Sequence, residues 1–370
     1  MVSRLSSPLG RVLVGGVLLV AACGGTGTPT TGSTASTGHP PSAGSPGATA
    51  AAVASAAAAT AAAPLQPTVE GVQNGRIAYA IRSIDGSANI YSILPDGSDQ
   101  LQLTLGAGNH LCAAYSADGS QIAYCSDEGG AFEIWTMHAD GTKQAQLTDL
   151  GGRSLFPDFS PNGKKIAFGG AVGADAHTEI YVVSATTGKD LVALTSCKDR
   201  KPGCSNDFPA WSPDGKQLVF IHTDDFNADE TPVNAQVWVM DADGGNAHAL
   251  TTGAAPKDQV PSWSPDGKNI VYASGTADSE GIWVMAADGS AQVQLSGCLS
   301  GEASPCAAGD DFGPVWSPDG TRIAFLRAFQ AVGTNDRPVY VMNADGTDQQ
   351  RLSDESPSLQ TVPAWQALRM

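Results

Sequence analysis

A Ser-Pro-Asp-Gly turn, or a close variant of it, returns at nearly regular intervals along this chain, each time between two short apolar runs. The clearest copies read FPAWSPDGKQLVFIH from Phe208, VPSWSPDGKNIVYAS from Val260 and GPVWSPDGTRIAFLR from Gly313. Looser copies read LCAAYSADGSQIAYCS from Leu111 and LFPDFSPNGKKIAFGG from Leu155. The marker serines Ser116, Ser160, Ser212, Ser264 and Ser317 lie 44 to 53 residues apart. A unit of that length made of short apolar runs cannot bury its apolar face alone. Stacked neighbours must cover it, as in a propeller or a related array.

Each repeat holds four strand-like runs. In the copy at Phe208 they are Phe208–Ser212, Gln217–Ile221, Ala235–Met240 and Ala247–Leu250. Pro213-Asp214-Gly215 joins the first two: Pro presets φ, Asp tolerates the turn and Gly accepts positive φ. Ala242-Asp243-Gly244 joins the last two. Pro95-Asp96-Gly97, Ala139-Asp140-Gly141, Ala287-Asp288-Gly289 and Ala344-Asp345-Gly346 are equivalent, and Thr186-Thr187-Gly188 is the departure. Two tight hairpins per repeat make an up-and-down four-stranded sheet, which is a propeller blade. Five repeats are complete. The first, RIAYAIRS from Arg76, lacks its innermost strand, and Val362-Pro363-Ala364-Trp365 matches Val260-Pro261-Ser262-Trp263. The expected fold is all-β: a six-bladed β-propeller closed by a C-terminal strand joining the N-terminal blade, with no open edge between first and last blade.

The succession WSPDGK, IAF, VMNADG and LT resembles the TolB-type propeller repeat of bacterial envelope proteins, over roughly residues 75 to 370. The resemblance implies the fold and an envelope setting. The family's N-terminal α/β domain has no counterpart here, so partner contacts that use that domain are not carried over.

Ahead of the repeats, Arg4 and Arg11 precede an apolar run from Val12 to Val20, and Val20-Ala21-Ala22-Cys23 follows. This is the layout of an export signal, and the run is shorter than the roughly 20 apolar residues of a membrane span. The cysteine after two alanines resembles a bacterial lipoprotein box, which implies that Cys23 carries the lipid; an ordinary signal peptide with an incidental cysteine is the plainer reading. From Gly24 to about Glu70, Thr, Ser, Gly, Pro and Ala dominate, too little apolar bulk to offset ordering. The expected organisation is a lipoprotein signal peptide over residues 1–22, a tether over 23–71 and a propeller over 72–370. The chain is then lipid-anchored at the bacterial cell envelope, facing periplasm or exterior, and monomeric.

The formal charge is −17, with no basic footprint, which speaks against a nucleic-acid partner and leaves the lipid as the only membrane contact. Nine hairpin aspartates account for much of the excess. Besides Cys23 there are six cysteines. Cys197 with Cys204, and Cys298 with Cys306, sit as short pairs in two equivalent inter-blade loops and read as local disulfides. Cys112 and Cys125 flank the Ala117-Asp118-Gly119 hairpin. A two-residue turn sets them directly opposite, whereas a bulge slips them out of register.

No Gly-x-Ser-x-Gly, His-Glu-x-x-His or phosphate-binding glycine loop is present. The histidines are scattered and read as structural or solvated. Trp211, Trp263, Trp316 and Trp365 share one repeat position and Trp135, Trp238 and Trp283 another, which marks them as core. Asp225, Asn227 and Asp229 alternate like calcium ligands, the one cofactor candidate, with a hydrated acidic loop as the competing reading. Length variation falls on the face opposite the tight hairpins. Binding is therefore expected on that loop face, with Asp207, Gln259, Asp310 and Asp311 ringing the channel mouth. The expected function is a non-enzymatic envelope module that binds a protein or small ligand there. The alternative is a propeller enzyme acting on carbohydrate, lyase-like, with its site in the central channel.

Overall fold

The computed structural model describes residues 71–83, 85–106, 108–173, 177–197, 204–226, 232–252, 259–276, 279–297, 310–328, 337–353 and 362–369. The segments read as export signal and tether, residues 1–70, and the Cys298 and Cys306 pair lie outside them. Six antiparallel four-stranded sheets make up the fold, with no helix among the described residues. Their innermost strands are Ala364–Arg369, His110–Tyr115, Arg153–Phe159, Ser205–Trp211, Gln259–Trp263 and Asp310–Trp316. Each touches the next, and the last touches Ala364–Arg369, so the ring is shut. The molecule is a six-bladed β-propeller. The outermost strands are shorter than the sequence pattern suggests: Ala247–Leu250 reduces to the two-residue strand His248–Ala249.

Three local devices repeat around the ring. The first is the tight hairpin. Ser212 Oγ donates to Asp214 Oδ1 (2.8 Å) and accepts from Gln217 N (2.9 Å), while Asp214 Oδ1 accepts from Lys216 N (3.0 Å). Ser116 with Asp118, Ser160 with Asn162, Ser264 with Asp266 and Ser317 with Asp319 repeat the first bond. The backbone donor at Lys216, with the Ser212 hydroxyl, lowers the Asp214 carboxyl to about 2. These aspartates are wanted by the backbone, as the sequence indicates.

The second device is a hydroxyl at the outer edge. Thr104, Thr148, Thr195, Thr251, Ser296 and Ser353 accept from the backbone N of Ile90, Ile134, Ile180, Val237, Ile282 and Val339 at 2.8 to 3.2 Å. One side chain per blade thus replaces a ladder acceptor where the outer strand is too short to supply it.

The third is a bulge in the inner strand. The register against the second strand shifts between Leu111 and Ala114, Leu155 and Asp158, Asp207 and Ala210, Gln259 and Ser262, and Phe312 and Val315. At each shift one residue takes positive φ: Cys112 (56°), Phe156 (52°), Phe208 (54°), Val260 (46°) and Gly313 (61°). For the β-branched Val260 this conformation is costly. Pro follows four of the five, where its missing N–H falls in the interrupted part of the ladder.

Between blades, apolar layers interlock. The aromatic residues Tyr79, Tyr124, Phe168, Phe220, Tyr272 and Phe325, one on the second strand of each blade, are at most 2% exposed. The inner-strand tryptophans Trp211, Trp263, Trp316 and Trp365 are buried in four of the core clusters, as expected, whereas the third-strand set Trp135, Trp238 and Trp283 is half-buried and packs against the clusters from outside. The closing strand differs from the other five inner strands. They turn at Ser-x-Asp/Asn-Gly, whereas it runs straight on, pairing Ala367 with Asn74, Leu368 with Gln73 and Arg369 with Val72. Gln366 fastens it on both sides, accepting from Arg76 N (3.1 Å) and donating to Gly119 O (2.9 Å).

Candidate functional site

The bulges decide what faces the ring axis. At the centre the inner strands enclose a cavity of about 190 Å³. Its wall repeats a three-residue pattern set by the bulge. The middle positions are Ala113, Pro157, Pro209, Pro261, Pro314 and Pro363. The positions that follow, half-buried in five of the six blades, are Ala114, Asp158, Ala210, Ser262, Val315 and Ala364. The ring is therefore apolar except at Asp158, with a hydroxyl at Ser262. Phe156 and Phe208, both bulge residues, lie against each other beside it with ring centroids 4.0 Å apart.

Asp158 is half-buried and keeps some surface open to the cavity. Its Oδ2 accepts from Trp211 N of the next blade at 2.7 Å. Burial raises the carboxyl to about 7, against the Trp211 and Phe159 backbone donors that favour the charged form. No lysine or arginine contributes to the wall. A carboxylate without a counter-charge in an apolar ring can take up a proton or a cation.

The four residues expected to ring the channel mouth do not line this cavity. The reason is that the inner strands start one to three residues earlier than the sequence suggests, so these positions are strand residues engaged within and between the blades. Asp207 is the third residue of Ser205–Trp211, pairs opposite Ile221 and is buried. Its Oδ1 accepts from Phe208 N (3.0 Å), and burial raises its carboxyl to about 6 against the opposing influence of Arg153. Gly169 faces it so closely that any Cβ there would overlap the carboxylate. Asp311 is fully buried and holds Arg327 in a two-pronged ion pair (2.6 and 2.8 Å). Arg327 also lies over the rings of Tyr340 and Phe325. Gln259 and Asp310 stay half-buried and gather at Glu280: Gln259 Nε2 donates to Glu280 Oε1 (3.1 Å) and Asp310 Oδ1 accepts from Glu280 N (3.2 Å). The expected ring of carboxylates is thus dispersed into an ion pair, a buried acid and a small cluster between blades five and six.

Cys112 and Cys125 are joined, with Cα atoms 5.6 Å apart, as are Cys197 and Cys204 at 5.7 Å. In the first pair Cys125 stands opposite Leu111, so the bulge reading of the register is the one realised. Asp225 belongs to a short strand, Asp225–Phe226, paired with Pro232–Val233; Asn227 and Asp229 lie outside the described residues. His110 is fully buried, and burial lowers its pKa. His222 Nδ1 bonds Asn206 Oδ1 at 2.8 Å.

Asp158 was not singled out by motif reading. The signal was present in the repeat itself: superposing the copies leaves Ala, Asp, Ala, Ser, Val and Ala at one position, and the odd member is the one that brings a charge to the cavity wall.

Comparison with known proteins agrees with this architecture. The TolB beta propeller domain matches residues 52–208 and 139–306. Dipeptidyl-peptidase 5 of Porphyromonas endodontalis is 28% identical over 201 residues, 54% of this chain and 28% of that protein. The Tol-Pal system protein TolB of Anaeromyxobacter dehalogenans is 29% identical over 126 residues, 34% of this chain and 25% of that protein. The crystal structure of TolB from Acinetobacter baumannii superposes with a TM-score of 0.62 at 22% identity, covering 79% of this chain and 66% of that one, a likeness of fold. The chain spans under half the length of the curated relatives it matches.

Proposed function

The chain belongs to the TolB beta propeller domain family, and on that premise we propose that it is a non-enzymatic binding module of the bacterial cell envelope, anchored through a lipid on Cys23. Its partner is an envelope protein or a small ligand, taken up on the loop face and at the channel. The observation that carries the reading is the cavity wall. Six strands converge there and supply prolines, alanines, a serine and one carboxylate. A propeller lyase would need an acid–base set converging on the axis, with His, Arg, Lys or Tyr presented to substrate. Tyr115 is the one such residue in the wall, and it is 8% exposed. The peptidase activity named for the Porphyromonas relative is not carried over, because this chain has no Gly-x-Ser-x-Gly element.

Two experiments test the reading. The full-length protein is used to capture partners from envelope extract, beside a Gln259→Ala, Asp310→Asn double variant. Those two side chains are half-buried, whereas replacing Asp207 or Asp311 disturbs buried structure. Capture that is lost in the double variant supports a loop-face module. Turnover of polysaccharide by the purified protein, with no partner recovered, overturns it. For the anchor, Cys23→Ala is expected to move the protein from the membrane to the soluble fraction; retention in the membrane refutes lipidation.

A further inference from the structure

We propose that the central cavity binds a primary ammonium group carried on a short apolar stem, with the charge on Asp158 and the stem along the proline ring. This deepens the binding-module reading and rests on it. Size is the first argument. A volume of about 190 Å³ is below the roughly 300 Å³ at which pockets for drug-sized ligands begin, so the occupant is small or is a single side chain.

Chemistry is the second argument. The side chains of the wall offer one carboxylate and the hydroxyls of Ser262 and Tyr115 as oxygen donors, short of the six to eight oxygens that calcium gathers. A primary ammonium needs only one carboxylate for its charge, and its carbon stem gains by leaving water for an apolar wall. The third argument is that the acceptor is already in place. The bond from Trp211 N fixes Asp158 against the next blade, so no side-chain ordering is left to be paid at binding. Phe156 and Phe208 add aromatic surface to the wall, which suits a cation.

The acid also links binding to pH. Burial raises Asp158 to about 7, so between pH 6 and pH 8 it passes from mostly protonated to mostly ionised, while an alkylammonium stays charged.

The test uses the full-length protein and n-butylamine as probe, followed by calorimetric titration, with n-butanol as the neutral probe of the same stem. Saturable binding of butylamine is expected, about tenfold tighter at pH 8 than at pH 6, and butanol is expected to bind at least tenfold more weakly than butylamine at pH 8. Asp158→Asn keeps an oxygen for Trp211 N and is expected to lose the preference for amine over alcohol. Ala210→Leu narrows the cavity with the carboxylate intact and is expected to weaken both probes. Two sources can supply the ammonium, a free amine or the lysine of a partner. If excess butylamine displaces a partner captured from extract, the lysine is the source. If butylamine binds and capture is unaffected, the free amine is. No saturable binding, equal binding of butanol, or unchanged amine preference in Asp158→Asn overturns the proposal. Partner capture that still depends on Gln259 and Asp310 would in that case leave the loop-face module standing.

Discussion

At the scale of the residue, Asp158 shows how one position in a repeat acquires chemistry. In other blades the site after the bulge holds Ala, Ser or Val, which ask nothing of their surroundings. A carboxyl at the same site meets the apolar ring, and its folded value of about 7 lies above its ordinary 3.8. The folded protein therefore holds a proton that the unfolded chain has already released near neutrality. The stability it contributes is fully present below about pH 4 and is lost as pH rises through about 7. Asp207 acts in the same direction with a value of about 6. Asp158→Asn is expected to melt several degrees above the parent at pH 8 and close to it at pH 4, by differential scanning calorimetry across that range. The gain amounts to no more than about 4 kcal/mol, since each unit of pKa shift is worth about 1.4. An equal difference at both pH values would show that Asp158 stays ionised throughout. None of this was legible in LFPDFSPNG taken alone, because the environment of Asp158 is made by five strands distant from it in sequence.

At the scale of the element, the hairpins were legible and the bulges, apart from the alternative weighed for Cys112 and Cys125, were not, for one reason. Ser-Pro-Asp-Gly states its conformation locally: the proline, the aspartate oxygen and the glycine each enforce the turn whatever surrounds them. The bulge places positive φ on Cys112, Phe156, Phe208 and Val260, residue types that do not advertise it. The sequence pattern therefore sets the start of the inner strands too late and leaves Asp207, Gln259, Asp310 and Asp311 outside them. Blade two adds a covalent restraint to this weak point. Cys112–Cys125 ties the bulge residue to the second strand across 13 positions, and no other bulge in the described residues has such a tie. By loop closure such a link is worth about 3 kcal/mol. The pair Cys112→Ala with Cys125→Ala is expected to lower the melting temperature by several degrees while circular dichroism keeps the β signature. Unchanged melting would show that packing alone holds this bulge.

At the scale of the whole molecule, the count of six blades follows from closure, and closure was legible because VPAW copies VPSW. Truncation before Val362 removes the strand that pairs with Val72–Asn74 and Ile77–Ala78, and with it the buried Trp365. The truncated chain is expected to melt far below the parent in a thermal scan; melting like the parent would refute the closure. What sequence did not tell is that this strand runs past the point where its counterparts turn, so the seam extends its pairing to Val72 at the start of the domain.

The same seam sets a clock on maturation. Its pairs join positions separated by nearly the whole domain, Val72 with Arg369, so the ring cannot shut until that last strand is available for pairing. Until then the Val72–Arg82 strand is an edge, with backbone donors and acceptors open to any extended segment. Such long-range closure is slow by nature. A newly made chain is therefore exposed to strand exchange with its neighbours, and crowding before closure favours interlinked rings over single ones.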